Sequence, residues 1–252
     1  MKIAALYDIH GNLPALNAVL TDLSQINPDL IVIGGDIVAG PMPVQTLERL
    51  FQLDIPTEFI RGNNDREVVI AFDGQPLRPE LSNKGREKIE WVARQLTQSH
   101  RDFLAQLPET HTLPINDREG EVLFCHATPS SDEEIFTPLT PQQRLEHIFH
   151  GVNQRMVICG HTHIQFELLV RGIHIINAGS IGMPFAERPG AYWLLLTPQG
   201  HEFKYTPYDL EAAAIEIGKS KDPQANEFIE KNVLSVSTAA QAIDMLERLQ
   251  NK

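Results

Sequence analysis

The chain has 252 residues, 42% of them hydrophobic, and 33 acidic against 21 basic side chains give it a formal net charge of -12. That length suits one large domain with a substantial core, and the acidic balance argues against a broad basic face for nucleic acid. The two cysteines, Cys125 and Cys159, exclude a disulfide framework, and no apolar run approaches the ~18 residues that would span a membrane.

Residues 3–7 form the first apolar run and read as a buried strand. Asp8 ends the run too soon for the core of a signal peptide, so a cytoplasmic protein is expected. Asn12 and Pro14 suit the first turn of a helix, on which Leu16, Val19, Leu20 and Leu23 share one face. A second strand is expected at 30–33, then the loop Gly40-Pro41-Met42-Pro43 and a helix carrying Val44, Leu47, Leu50 and Phe51. A weaker extended segment covers 56–61. This alternation predicts parallel strands covered by helices.

From about 66 to 116 the pattern changes. Helices are expected near 83–95 and 99–107 with no strong strand, and the stretch reads as a helical cap or insertion beside a site. Strands follow at 122–125, 156–159, 166–170, 173–176 and 192–196. The third and fourth read as a hairpin around Arg171-Gly172. Residues from about 208 to 252 read as a helical extension of a single domain spanning 1–252. Ala242, Ile243, Leu246 and Leu249 make its end amphipathic, suited to packing on the core or to a homo-oligomer face. Both cysteines sit inside strand-like runs and read as buried thiols.

Seven polar residues stand at or just beyond the ends of these runs: Asp8, His10, Asp36, Asn63, His126, His161 and His163. In sheets flanked by helices, sites form outside the carboxyl ends of the strands. Asp8-Ile9-His10 and His161-Thr162-His163 share a spacing of two, which in extended chain turns both members of a pair to one side. Glycines precede Asp36 and Asn63 and permit close approach. Singly, a strand-end aspartate is a helix cap and a lone histidine a surface residue. Together the set predicts a dinuclear metallohydrolase centre, net positive inside an acidic protein. His100, His111, His147, His150, His174 and His201 lack the strand-end context and are not expected to be ligands. Asp132-Glu133-Glu134 is expected to be a solvated loop.

Asp8-Ile9-His10-Gly11-Asn12, Gly35-Asp36, Gly62-Asn63-Asn64-Asp65, His126 and Gly160-His161-Thr162-His163 resemble, in order, the motifs of the calcineurin-like metallophosphoesterases. Asn177-Ala178-Gly179-Ser180 is similar to a segment of small bacterial members. The resemblance implies an α/β fold, a four-layer αββα sandwich of two mixed sheets. It implies one metal held by Asp8, His10, Asp36 and His163, and a second by Asp36, Asn63, His126 and His161, with Asp36 bridging. Such donors suit two divalent transition-metal ions, manganese first, or iron, zinc, nickel or cobalt. The implied reaction is attack on a small phosphate ester, a phosphodiester above all, by hydroxide held between the ions. A phosphomonoesterase or nucleotide phosphatase is the alternative within the enzyme class. A non-catalytic protein-binding scaffold, as in a retromer subunit of the same fold, is the alternative outside it.

One position departs from the family pattern. Many members carry histidine after the asparagine that matches Asn63, and this chain has Asn64. An amide cannot act as a general acid, a role typically worth ~10²–10⁴ in rate, so weak action on alkyl monoesters is expected. Asn64 and Asp65 are the catalytic candidates, with Asp65 either orienting Asn64 or capping the next helix. Asn64, Arg61 and Asn12 are the candidate substrate contacts; Arg61 also suits a carboxylate partner, and Asn12 a helix cap. Ser180 and Arg188 are further candidates for the cleft.

Overall fold

The layering follows from short strands that are apolar on both faces. In β1 (Ile3–Leu6), Ala4 and Leu6 face one way while Ile3 and Ala5 face the other, as does Tyr7 just beyond; β2 (Leu30–Ile33) repeats the pattern. Such strands need a packed layer on each side. The computed structural model describes residues 1–116 and 120–250 and supplies both layers.

Among the described residues there are two five-stranded sheets. The first runs β10 (Gly200–Thr206), β9 (Ala191–Thr197), β1, β2, β3 (Thr57–Phe59), with β1, β2 and β3 parallel and the other two pairings antiparallel. The second runs β4 (Thr110–Asn116), β5 (Gly120–Cys125), β6 (Met156–Cys159), β8 (Ile173–Ala178), β7 (Gln165–Val170); β5, β6 and β8 are parallel and both edges antiparallel. The sheets bury Ile3, Val32, Phe124, Ile158 and Leu194 between them, and Tyr7 Oη crosses the gap to donate to Ile158 O at 3.1 Å.

Helices cover the outer faces. On the first sheet lie α1 (Leu13–Ile26), α2 (Pro43–Phe51), α3 (Asn63–Phe72), α4 (Asn83–Gln95) and α5 (Gln98–Ala105). Leu16, Val19 and Leu23 of α1 are buried there, each contributing about 1.5–3 kcal/mol. On the second sheet lie α6 (Gln142–Ile148) and α9 (Ala239–Gln250). The result is the αββα sandwich of two mixed sheets that the resemblance implies.

The segment after residue 66 carries the expected helices but ends in β4, a strand that the sequence pattern did not reveal. β4 is an edge strand, only partly buried, and contains Pro114; proline is tolerated there because one side of an edge strand has no ladder to serve. β10 was missed for a related reason. Its Glu202 and Lys204 alternate with Phe203 and Tyr205, so it shows no apolar run, and β9 recruits it through a tight hairpin. The tail carries α7 (Leu210–Ile217), α8 (Ala225–Phe228), a π-helical turn at Ile229–Val233, and α9. Ala242 and Leu246 of α9 pack on the second sheet, while Leu249 stays exposed. Residues 251–252 of the expected extension lie outside the described residues. No described helix is long and apolar enough to cross a membrane.

Candidate metal centre

The carboxyl ends of β1, β2 and β3 meet those of β5 and β6 at one edge of the sandwich. There the backbone leaves the extended region. Asp8 (φ 54°), His10 (47°), Asp36 (51°), His161 (68°) and His163 (60°) are five of the eight described non-glycine residues with positive φ. The paired motifs therefore face one site through left-handed turns, not through the extended pleat expected from their spacing. Each such residue carries strain of about 1 kcal/mol or more, sustained only where surroundings over-determine the backbone.

Here they do. Asp8 N donates to Gly35 O, His10 N to Asp36 O, Gly160 N to His126 O and Gly182 N to Asp8 O, all at 2.8–3.2 Å. The loops pass so closely that a Cβ on Gly62 would stand 2.2 Å from both Asp36 N and Asp36 Oδ1.

Backbone carbonyls set the histidine tautomers. Nδ1 of His10, His126 and His163 lies 3.2, 2.8 and 2.8 Å from Ala39 O, Gly34 O and Met183 O. A carbonyl only accepts, so Nδ1 carries the proton and Nε2 turns a lone pair inward. His161 is reversed: Nε2 donates to Glu133 O at 3.1 Å, which leaves the lone pair on Nδ1.

The inward atoms then crowd together. His163 Nε2 lies 3.3 Å from Asp8 Oδ1, and Asp36 Oδ2 lies 3.6 Å from Nε2 of both His10 and His126. His10 Nε2 and His163 Nε2 are 3.1 Å apart, and His126 Nε2 is 3.2 Å from Asn63 Oδ1. Asp8, His10 and His163 form one group of ligand atoms within 4.8 Å of one another, and Asp8, Asp36 and His126 another. His161 stands outside both groups, its ring 5.2 Å from that of His126. The second oxygen of each carboxylate is held by the backbone: His161 N donates to Asp8 Oδ2 at 2.8 Å and Asn64 N to Asp36 Oδ1 at 2.9 Å. Asp8 Oδ1 is buried without a hydrogen-bond partner.

Lone pairs of two carboxylates, an amide oxygen and imidazoles thus converge, the arrangement a divalent cation satisfies. The same charges shift the histidines in opposite directions. Burial alone would lower the pKa of His126, but the Asp36 carboxylate pushes it up to about 10. Burial and neighbouring His126 push His161 down to about 4. Burial opposes the charge of Asp36, yet His126 and His10 hold its carboxyl well below the usual range.

The remaining candidates fall in different places. The Asn64 side chain donates to Asp36 Oδ2 and faces the centre. Asp65 is buried and does not orient Asn64: Oδ1 accepts from Ile37 N at 2.9 Å and Oδ2 from Gly62 N at 3.1 Å, so it caps α3 and ties two ligand loops. Asn12, fully buried, caps α1 through Ala15 N and donates to Gly182 O, which takes it out of reach of substrate. Arg61 pairs with Glu109 at 2.7 Å. Ser180 Oγ donates to Asp8 O at 2.8 Å and is buried, and Arg188 lies over the Tyr205 ring. His174 and His201, not expected to be ligands, meet Glu167 at 2.9 and 3.1 Å on the exposed sheet edges.

Two features escaped the sequence. Asp132 and Glu133 are not a solvated run: Arg66 donates to both Asp132 oxygens at 3.0 and 3.1 Å and to Glu133, which Arg78 also contacts. The loop so held supplies the Glu133 carbonyl that sets His161. Phe185 stacks on the His163 ring, 5.7 Å between centroids and tilted 25°. It also lines a cavity of about 710 Å³ that opens at His10 and Asn64.

Residues 1–200 match the model of the calcineurin-like phosphoesterase superfamily domain. An uncharacterized protein of Methanocaldococcus jannaschii is 28% identical over 240 residues, covering 88% of this chain and 94% of that protein. A hypothetical protein from Pyrococcus horikoshii has a similar structure, with a TM-score of 0.80 at 21% identity, covering 94% of this chain and 99% of that one. A metallophosphoesterase from Sphaerobacter thermophilus gives 0.70 at 24% identity, covering 91% and 97%.

Proposed function

The chain belongs to the calcineurin-like phosphoesterase superfamily, and on that premise we propose that it is a dinuclear metal-dependent phosphodiesterase acting on a small phosphate ester. The observation that carries this reading is the convergence of His10, His126 and His163 Nε2 on the oxygens Asp8 Oδ1, which is buried without a hydrogen-bond partner, and Asp36 Oδ2. Asp8, His10, Asp36 and His163 would hold one ion, and Asp36, Asn63, His126 and His161 the other. The equal 3.6 Å distances from Asp36 Oδ2 to His10 and His126 suit a shared carboxylate. Manganese is our first choice, since oxygen and imidazole donors without thiolate suit it.

Two bound ions would supply an activated water and neutralise charge on the phosphoryl oxygens. The carbonyls of Ala39, Gly34, Met183 and Glu133 orient the imidazoles that would hold the ions. Asn64 can donate to a phosphoryl or ester oxygen once its amide leaves Asp36, but it has no proton to give a leaving group. Aryl esters, whose alcohols leave more readily without a proton donor, are therefore favoured over alkyl monoesters, and phosphodiesters are the proposed substrate class.

The test uses metal-stripped protein with bis(p-nitrophenyl) phosphate and p-nitrophenyl phosphate, re-adding Mn, Ni, Co, Zn or Mg singly. Metal-dependent diester turnover that disappears in Asp36→Ala is expected. A protein that binds two ions per chain yet turns over neither ester would favour the scaffold.

A further inference from the structure

We propose that the 710 Å³ cavity is a specificity site for the organic part of the ester, and that Lys84 and Lys231 hold a second anionic group of that substrate, a carboxylate or a phosphate. This inference rests on the phosphoesterase reading of the adjoining centre. The cavity wall starts at His10 and Asn64, continues along Phe185, Ile89 and Phe228, and includes Lys84, Lys88 and Lys231 on α4 and the tail. Its volume lies within the ~300–1,000 Å³ of small-molecule sites. A phosphoryl group at the ions would occupy one part of it and leave an amphipathic space for the alcohol.

Charge points to an anion. Three lysines line the cavity against one carboxylate, Glu227, in a chain of net charge -12. Lys88 is committed to Asp222, which is buried behind it. Lys84 and Lys231 both lean on Glu227, at 2.7 and 2.6 Å, and each is 69% exposed. Two exposed cations thus share one contacting carboxylate, with Glu230 acting on Lys231 from further away, and both ammonium groups remain accessible to an anion in the cavity. Gly85, in the first turn of α4, lines the same wall, so the positive end of that helix adds to the field. The clasp between α4 and the tail, completed by Gln224 Nε2 donating to Lys84 O at 2.9 Å, makes this wall a built surface.

The experiment compares two diesters, p-nitrophenyl phenyl phosphate and p-nitrophenyl 4-carboxyphenyl phosphate, with the metal-loaded enzyme. The wild type is expected to favour the carboxylated ester in kcat/KM by about tenfold, mainly through KM, since two partly exposed ion pairs contribute a factor of about three each. In Lys84→Met/Lys231→Met the ratio should fall to about one, and in Glu227→Gln, where the competing carboxylate is gone, it should rise. A wild-type ratio near one, or a ratio that the lysine substitutions leave unchanged, overturns the proposal. Calorimetry on metal-stripped protein with phenyl phosphate and 4-carboxyphenyl phosphate gives a second readout without turnover. Discrimination there with no hydrolysis of either diester supports the cavity and overturns the phosphoesterase reading. Metal-dependent hydrolysis of both without discrimination overturns only the cavity.

Discussion

Arg66→Met should separate the two ions. Arg66 is 28% exposed, and its guanidinium reaches both oxygens of Asp132, the carboxylate of Glu133 and, at 3.3 Å, buried Glu67. Methionine keeps the apolar stem's packing and removes the charge. Hydrogen bonds to charged groups contribute about 1.5–3 kcal/mol. Screening of a partly exposed side chain, and Arg78 remaining beside Glu67 and Glu133, bring the net loss to about 2 kcal/mol. In a chain of this size that lowers Tm by about 4–8 °C. The larger effect is on metal. The freed loop no longer fixes the Glu133 carbonyl against His161 Nε2, and losing such an outer partner typically weakens affinity ~10–100-fold. Only the ion assigned to His161 and His126 should lose that affinity, while the other stays within about threefold. Thermal unfolding and competition against a chelator, resolving both ions, measure the two quantities. Two unchanged affinities despite the expected fall in Tm would refute the role given to Glu133. Equal weakening of both ions would mean general damage to the site.

Asn64→His restores a group able to donate a proton and should raise turnover of an alkyl monoester such as glycerol phosphate by at least about tenfold; an unchanged rate would show that Asn64 does not face the leaving group. Gly62→Ala places a methyl 2.2 Å from Asp36 N and Oδ1 and should cost more than about 4 kcal/mol, whereas Gly74→Ala, with φ 66° but open space around it, should cost only about 1 kcal/mol. Equal losses in thermal unfolding would remove the steric argument. The Glu227 carboxyl is lowered from 4.5 to about 2 by hydrogen bonds from Lys231 and Lys84. Because its folded value is depressed, its contribution is present above about pH 4.5 and is lost as pH falls toward 2. Amide protection factors, the observed rates corrected for intrinsic exchange, should fall across residues 222–233 as pH drops from about 4.5 toward 2 more than in the β1–β2 core, and parallel behaviour of the two regions would contradict the clasp.

The sequence was sufficient where the information is local. Apolar runs at 3–7, 30–33, 122–125 and 156–159 carry the hydrophobicity of strands buried on both faces, and the residues that follow them have donor chemistry in any fold. The α1 face and its Asn12 cap are set within a few residues. Edge strands β4 and β10 were illegible because a half-exposed strand forms where a neighbour offers a ladder, not where its own residues demand one. The division of labour among polar groups was equally hidden. Asn12 donates to a carbonyl 170 residues away, Asp65 accepts from the backbone of the Asp36 loop, and the acidic triplet meets Arg66 across 66 residues. The left-handed turns at five candidate ligands are sustained by bonds between separate loops, and the cavity exists only because α4 and the tail, more than 130 residues apart in the chain, are clasped together. A side chain's chemistry travels with the residue, but its hydrogen-bond partner is fixed by packing of distant segments, and that only the tertiary structure decides.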